Sequence, residues 1–360
     1  MKQILCLSHS PWQARPNRTQ QLLARLTDTQ VLFFEPPASR GTPPAEQGRK
    51  MRSHITVYTL PAPLLPGLER PALQRRSLAR AVSFIQKTMA RHRFREPVLW
   101  CTFPGQAEFM DQIAYRGLIY DCHREWGEEY LDQESDLVSH AEVVFAASPG
   151  LVEQLSPCSD NIALLPNGVN PMMFARDEFT PPPLLSGLDG RPVFGRVGDL
   201  NSQVELEPLL YAAQAQPDWR FVLMGRVTKS VGARLAQYPN IILTGPINAV
   251  EVPDCLSVCS VLFDLIRTDR RGCDIIPAHI YEYLATGKPV VLMTEPEQVE
   301  PFPDVAYTAY DPAGFLRRCR RALDEAPDLA SARRKDYAAQ ASWANRAAEV
   351  SRILESTGLF

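Results

Sequence analysis

The chain has 360 residues, 45% of them hydrophobic and 22% charged, with a formal net charge of −3. That length exceeds what a single core ordinarily serves, so two domains are expected. The overall charge is near neutral and no nucleic-acid partner is expected, no run approaches the ~20 consecutive apolar residues of a membrane-spanning helix, and eight singly placed cysteines read as reduced thiols and not as staples or zinc ligands.

In chain order, the first six residues begin a short apolar strand that turns polar by Ser8. They lack the apolar core and small-residue cleavage site of a secretory signal, so the expected location is cytoplasmic. Strand patterns at 3–7, 31–34, 55–60, 98–102, 117–121 and 143–147 alternate with helical patterns at 19–26, 73–91, 106–114 and 149–155. Such alternation implies parallel strands in a doubly wound sheet. A short strand at 162–166 and the Asn167-Gly168 turn follow, and residues 1–175 are assigned to a first Rossmann-like domain. Residues 176–192 carry Pro181, Pro182, Pro183, Gly187, Gly190 and Pro192 and are the expected linker.

The alternation then restarts with strands at 193–197, 220–224, 241–244, 261–266 and 290–293 and helices at 206–215 and 278–286. Residues 193–339 form the second Rossmann-like domain, and a C-terminal helix at about 340–360 is expected to pack back onto the first. The expected fold is α/β, with two Rossmann-like, doubly wound domains facing a central cleft where the carboxyl ends of such sheets bind ligands. Fold alone does not name a reaction.

Within 69–96, eight Arg and Lys stand against two Glu. The helix at 73–91 gathers Leu73, Leu78, Ala81, Phe84, Ile85 and Met89 near one face and leaves Arg75, Arg76, Arg80, Lys87 and Arg91 largely on the other. Two readings are open: a solvated helix packed on the sheet, or a helix lying on an anionic membrane surface at the inner face.

The most informative stretch is CDIIPAHIYEYLATGKPVV, residues 273–291. Pro277 suits a first helical turn, Gly287 can cap the end, and Asp274 precedes Glu282 by eight positions. A loop entering a helix presents amides that can cradle a diphosphate, and two carboxylates beside it can accept hydrogen bonds from sugar and ribose hydroxyls. The spacing alone also describes an ordinary helix with a surface Glu and an incidental Asp near its positive end. The run resembles the family 4 glycosyltransferases of the GT-B fold, whose donor motif is an acidic residue, seven others, then Glu. The resemblance implies that Glu282 holds the nucleotide ribose and Asp274 a donor-sugar hydroxyl, with Ile276, Pro277, Ala278 and His279 in the donor site. Relatives in cell-wall and exopolysaccharide synthesis often carry Lys where His279 stands.

Three further elements extend the resemblance. The run LLPNGVNPMMF, residues 164–174, is similar to the family's Pro-Asn-Gly-Val-Asp…Phe element with Asn170 in place of Asp, and it reads as architecture because Asn-Gly is a strong turn signal. The run HSPWQARPNRTQQLL, residues 9–23, resembles members that assemble polysaccharide, particularly those of teichuronic-acid synthesis. It places Trp12, Arg15 and Arg18 on the acceptor side, where the arginines either grip a phosphate or acidic sugar or form a solvated basic loop. The runs LIYDCHREWGEEY, residues 118–130, and AEVVFAASPGL, residues 141–151, place His123, Glu125 and Ser148 at strand ends.

Close relatives carry paired acids where Arg124 and Glu125 stand. His123 and Glu125 are the candidates for a base or for acceptor ligands, with Asp121 capping or orienting. The other reading of His123 is a hydrogen-bonded histidine at a strand end. Arg196, in VFGRVGD, resembles the family's Gly-Arg element and supplies positive charge to a departing diphosphate. The usual Lys a few residues later is missing, and Arg270 and Arg271 are expected to compensate. Residues 195–198 lack a full G-x-G-x-x-G, which disfavours a nicotinamide-dependent oxidoreductase.

The expected function is transfer of a sugar from a nucleotide-diphosphate sugar to a saccharide or lipid-linked acceptor in polysaccharide or glycolipid assembly. The resemblance implies retention of configuration, with the departing diphosphate taking the acceptor proton; neither metal nor cofactor is expected. The alternative is a catalytically impaired nucleotide-sugar-binding subunit of an assembly complex, in view of Arg124, Asn170, His279 and the missing lysine.

Overall fold

The computed structural model describes residues 2–13, 16–37, 47–61, 71–188, 190–201, 204–265, 274–293 and 305–360. The chain forms two compact units, Met1–Pro166 with Arg346–Phe360, and Asn167–Asn345.

The first unit runs β1 (Lys2–Leu7), α1 (Arg18–Leu23), β2 (Thr29–Glu35), β3 (Arg49–Arg52), β4 (Ile55–Thr59), α2 (Pro71–Arg91), β5 (Val98–Cys101), β6 (Gly117–Cys122), α3 (Leu131–His140), β7 (Val143–Ala146), α4 (Pro149–Leu155) and β8 (Ile162–Leu164). The sheet order is β3-β4-β2-β1-β5-β6-β7-β8. Every pairing is parallel except β3 with β4. Strands covered on both faces need apolar side chains throughout, and β5, β6 and β7 are buried along their whole lengths. The edge strand β3 reads RKMR and is exposed throughout, so it carries no apolar pattern. The helix expected at 106–114 is a run of 3₁₀ turns, Pro104–Gln112, entered at Pro104.

Helix α2 packs Phe84 edge-on against Phe34 and Tyr58, at 6.3 and 6.1 Å between ring centres. Ala81, Ile85 and Met89 are buried, and Phe84 is half-buried. Its apolar face is therefore covered by its own sheet, while Arg75, Arg76, Arg80, Lys87 and Arg91 are exposed. The chain's C-terminal residues join this unit, with Lys2 Nζ 2.8 Å from Glu355 Oε1.

The second unit runs β9 (Val193–Val197), α5 (Glu207–Ala215), β10 (Arg220–Met224), α6 (Lys229–Leu235), β11 (Ile241–Gly245), α7 (Val252–Ser257), β12 (Val261–Leu265), α8 (Ala278–Thr286), β13 (Val290–Met293), β14 (Tyr307–Ala309), α9 (Pro312–Leu323), α10 (Pro327–Gln340) and the start of α11 (Trp343–Ser356). All pairings are parallel in the order β11-β10-β9-β12-β13-β14. Alternate strand residues serve two cores, as a two-residue pleat requires. Val197, Val222, Met224 and Leu262 pack with Ile280 and Leu284, whereas Phe194, Phe221, Leu223 and Phe263 pack with Leu209 and Phe315.

Residues 176–192 lie within this unit: Asp254 accepts from Arg176 Nη2 at 3.1 Å and from the Thr180 amide at 2.9 Å. The Asn167-Gly168 turn is held by Val169 N to Ala341 O at 3.1 Å and Trp343 N to Val169 O at 2.8 Å. A β-carbon on Gly168 would lie 2.7 Å from Ala341 O, a backbone atom that cannot yield, which is why glycine stands there.

Arg334 of α10 is 2% exposed and fully engaged. It donates twice to Glu325 at 2.6 Å, to Val305 O at 2.8 Å and to Gly287 O at 3.3 Å. Leaving one member of a buried pair uncompensated costs about 3–5 kcal/mol. Arg334→Ala is therefore expected to lower the unfolding free energy of the second unit by that amount, read as a lower urea midpoint at unchanged m-value, and a shift within error of zero would contradict this assignment.

Candidate functional site

In the second unit the site is built on the ends of β9 and β12. Asp264, the penultimate residue of β12, is 2% exposed. Its Oδ1 accepts from Arg196 Nε at 2.6 Å and its Oδ2 lies 2.7 Å from His279 Nε2. Burial pushes the Asp264 carboxyl up, but the Arg196 guanidinium and the His279 hydrogen bond outweigh it and hold the group well below the usual carboxylate range. Arg196 Nη1 also donates to Gly198 O at 3.0 Å.

The backbone beside this trio is tightly constrained. Gly198 has φ +132°, and a β-carbon on Gly225 would fall 2.3 Å from Gly198 O, so two glycines let the loops after β9 and β10 touch. Tyr283 of α8 takes the Val197 amide at 2.6 Å on its hydroxyl oxygen. Asn167 Nδ2 donates to Ile276 O at 2.9 Å, so the Asn-Gly turn supports the loop that enters α8.

That loop leads into a first turn with no acidic residue and no cap from the N-cap side chain, since the N-cap is Pro277. Such an end carries partial positive charge suited to phosphate oxygens. Asp274, Pro277, Ala278, His279 and Glu282 are half-buried there, and Ile276 is buried in the core. Arg270 and Arg271 lie outside the described residues.

Arg196 differs from expectation in one respect. Its Nε is already bound to Asp264, so its charge is largely balanced within the sheet. Asp264 itself was missed, although a lone acid in the apolar run VLFDL was a usable signal, because such a charge is buried only when paired.

In the first unit the corresponding pair is Arg18 with Asp121, the penultimate residue of β6. Arg18 Nε lies 2.8 Å from Asp121 Oδ1, with the side chains 5% and 0% exposed. Thr19 Oγ1 donates to Asp121 Oδ2 at 3.4 Å. Arg18 thus belongs to the interior and not to a solvated basic loop, and its Nη1 and Nη2 are buried without a hydrogen-bond partner. Arg15 lies outside the described residues.

His123 Nδ1 is 3.2 Å from Asp121 O. A carbonyl only accepts, so in the neutral ring Nδ1 carries the proton and Nε2 the lone pair. His9, which follows β1, stands against it with ring centres 4.7 Å apart. Thr102 Oγ1 donates to Leu7 O at 3.3 Å and receives both the His9 amide at 2.9 Å and His9 Nδ1 at 3.2 Å. The same tautomer follows for His9. Burial, with His123 and Arg124 adding repulsion, pushes the His9 imidazole down to about 4, and burial lowers His123 as well. Trp126 meets both rings edge-on at 5.7 and 6.1 Å, and the exposed Arg124 lies 4.7 Å over its ring.

Glu125 is half-buried beside this group. Trp12 donates its backbone amide to Glu35 Oε2 at 2.8 Å and meets the Phe33 ring edge-on at 5.1 Å. Ser148, expected on the acceptor side, is a helix cap: it is 1% exposed and its hydroxyl accepts the Leu151 amide at 3.3 Å. No hydrogen bond or ring contact joins Trp12 or Ser148 to the histidine pair among the described residues.

No protein-family model matches the chain. Among solved structures, the sucrose-phosphate synthase (tll1590) from Thermosynechococcus elongatus superposes with a TM-score of 0.78 at 16% identity, covering 99% of both chains. Anabaena Alr3699/HepE in complex with UDP and glucose does so with a TM-score of 0.70 at 14% identity, covering 99% of this chain and 100% of that one. These likenesses, with the two parallel sheets, show that the chain has the GT-B fold. In sequence it is similar to the putative teichuronic acid biosynthesis glycosyltransferase TuaH of Bacillus subtilis (strain 168), with 24% identity over 256 residues. The match covers 64% of this chain and 64% of that relative's length.

The Asp264 trio yields a pH-dependent expectation. A depressed folded carboxyl contributes stability that is complete above its unfolded value of ~3.9 and is lost as pH falls from there toward the lower folded value. Asp264→Asn removes this contribution and is expected to destabilise by about 3 kcal/mol near neutral pH, with the gap to wild type narrowing below pH ~4. Urea midpoints measured across the acid range check it; a gap independent of pH would contradict the pairing.

Proposed function

We propose that this chain is a glycosyltransferase that takes a sugar from a nucleotide-diphosphate sugar held by its second unit. The observation that carries the reading is the loop into α8, where Asp274 and Glu282 stand about a helix start whose N-cap, Pro277, makes no side-chain cap, beside the Arg196–Asp264–His279 trio. Glu282 binds the ribose, Asp274 a hydroxyl of the donor sugar, and the amides at the α8 start the diphosphate. As the glycosidic bond breaks, negative charge grows on the diphosphate, and the helix end stabilises it together with Arg270 and Arg271, while Arg196, balanced by Asp264, and His279 hold the donor site in shape. The similarity to TuaH and the fold shared with HepE, solved with UDP and glucose, support this assignment.

The acceptor is a saccharide or lipid-linked saccharide bound by the first unit near His123, in polysaccharide or glycolipid assembly. Transfer proceeds with retention and without a metal: the acceptor oxygen bonds to the anomeric carbon on the face the diphosphate leaves, and its proton passes to the departing phosphate oxygen. Neutral His123 accepts a hydrogen bond from a substrate hydroxyl and orients it.

No helix among the described residues is long and apolar enough to cross a membrane. The exposed basic face of α2 reaches a lipid-linked acceptor by charge, because its apolar face is already packed. Sedimentation with anionic liposomes is expected to fall steeply as salt rises; binding insensitive to salt, or none, would remove this part.

A thermal-shift panel of UDP-, GDP-, ADP- and TDP-sugars tests the donor assignment. One nucleotide class is expected to raise the melting temperature by several degrees at saturation. Asp274→Ala and Glu282→Ala should each weaken that class by roughly tenfold, about 1.4 kcal/mol. Silence across all nucleotides would sink the reading, and binding with neither transfer nor donor hydrolysis would leave a nucleotide-sugar-binding subunit instead.

A further inference from the structure

We propose that His9 is a second sugar-binding imidazole, which pairs with His123 at the carboxyl ends of β1 and β6 to bind neighbouring hydroxyls of a neutral hexopyranose. The identity of that sugar as the acceptor rests on the glycosyltransferase reading; the site itself does not.

Each ring is fixed by a different strand end and left with the same unused atom. Thr102, just beyond β5, holds His9 through Nδ1, and the Asp121 carbonyl holds His123 through Nδ1. Each Nε2 then presents a lone pair with no partner among the described residues, and both side chains are half-buried. Two neutral imidazoles at 4.7 Å form a pair of acceptors without donors. A carboxylate or phosphate oxygen finds nothing to bind in such a pair, whereas adjacent hydroxyls donate to both.

Trp126 completes the match. It stands edge-on to both rings and is backed by Phe103 at 4.9 Å, so an apolar wall adjoins the two acceptors. A pyranose has both surfaces, hydroxyls on its rim and C–H groups on its faces.

The test is nitrogen-detected NMR of the uniformly ¹⁵N-labelled full chain near neutral pH, with methyl α- and β-glycosides of glucose, galactose and mannose as probes. His9→Ala and His123→Ala spectra assign the resonances. Both rings are expected as Nδ1–H tautomers, and at least one pyranoside should move both Nε2 signals. His9→Ala should weaken that pyranoside roughly tenfold, and His9→Gln, whose amide oxygen can stand near the Nε2 position, should restore most of the loss. An Nε2–H tautomer at His9, a response of His123 alone, or no response to any pyranoside would overturn the proposal. UDP added in a separate arm reads the second unit independently: pyranoside binding with UDP silent would refute the transferase reading and keep the sugar site, and the reverse would do the opposite.

Discussion

The second unit depends on the burial of one carboxylate. Asp264 sits near the end of a central strand where an isolated charge is prohibitive, and it is stable there because Arg196 and His279 each meet one of its oxygens. Satisfying both oxygens fixes three elements together: the end of β9, the end of β12 and the first turn of α8. The glycines at 198 and 225 allow the adjoining loops to approach closely enough for this arrangement. Because the arginine and the aspartate cancel, the trio adds geometry more than net charge. The anionic donor of the proposed reaction must then draw much of its stabilisation from the α8 amides and from residues of the preceding loop.

The first unit repeats the device. Asp121 is the penultimate residue of β6 as Asp264 is of β12, and each is paired with one arginine through Nε. In the first unit the consequence runs through the main chain, because the Asp121 carbonyl sets the tautomer of His123. A buried ion pair is weak evidence for stability in itself, and its value here is the specific placement of the groups around it. The two pairs differ in their surroundings: Asp264 has a histidine on its second oxygen, whereas Asp121 has a threonine hydroxyl, and the Arg18 terminal nitrogens remain unsatisfied.

Much of the fold was legible because strands buried on both faces read as apolar runs bounded by turn residues. The two doubly wound sheets, the parallel strands from 3–7 to 290–293 and the long helix α2 followed from that pattern, and the GT-B fold from the family resemblance that the donor motif carries. Elements without an apolar signature did not. β3 is an all-exposed RKMR, β14 has three residues, and α3 reads LDQESDLVSH with only Glu134, Leu137 and Val138 buried. The 3₁₀ run at Pro104–Gln112 has a helix-like composition but a different hydrogen-bond pattern, which composition does not distinguish.

The site was legible where residues face a loop and illegible where they face each other. Asp274, His279 and Glu282 stood out by motif, but the partner of Arg196 lies 68 positions away on another strand. His9 and His123 are similarly brought together only by sheet order, since β1 and β6 flank β5. Arg18 and Ser148 were expected on the acceptor side and are interior groups, one in an ion pair and one in a cap.

In the proposed reaction the amides leading into α8 hold the donor diphosphate. Hydrogen–deuterium exchange of the full chain with saturating UDP measures this directly. Slowed exchange is expected, confined chiefly to residues 274–282 and to the loop after β9. Saturation with UDP that leaves both segments unprotected, or that protects only the first unit, would contradict it.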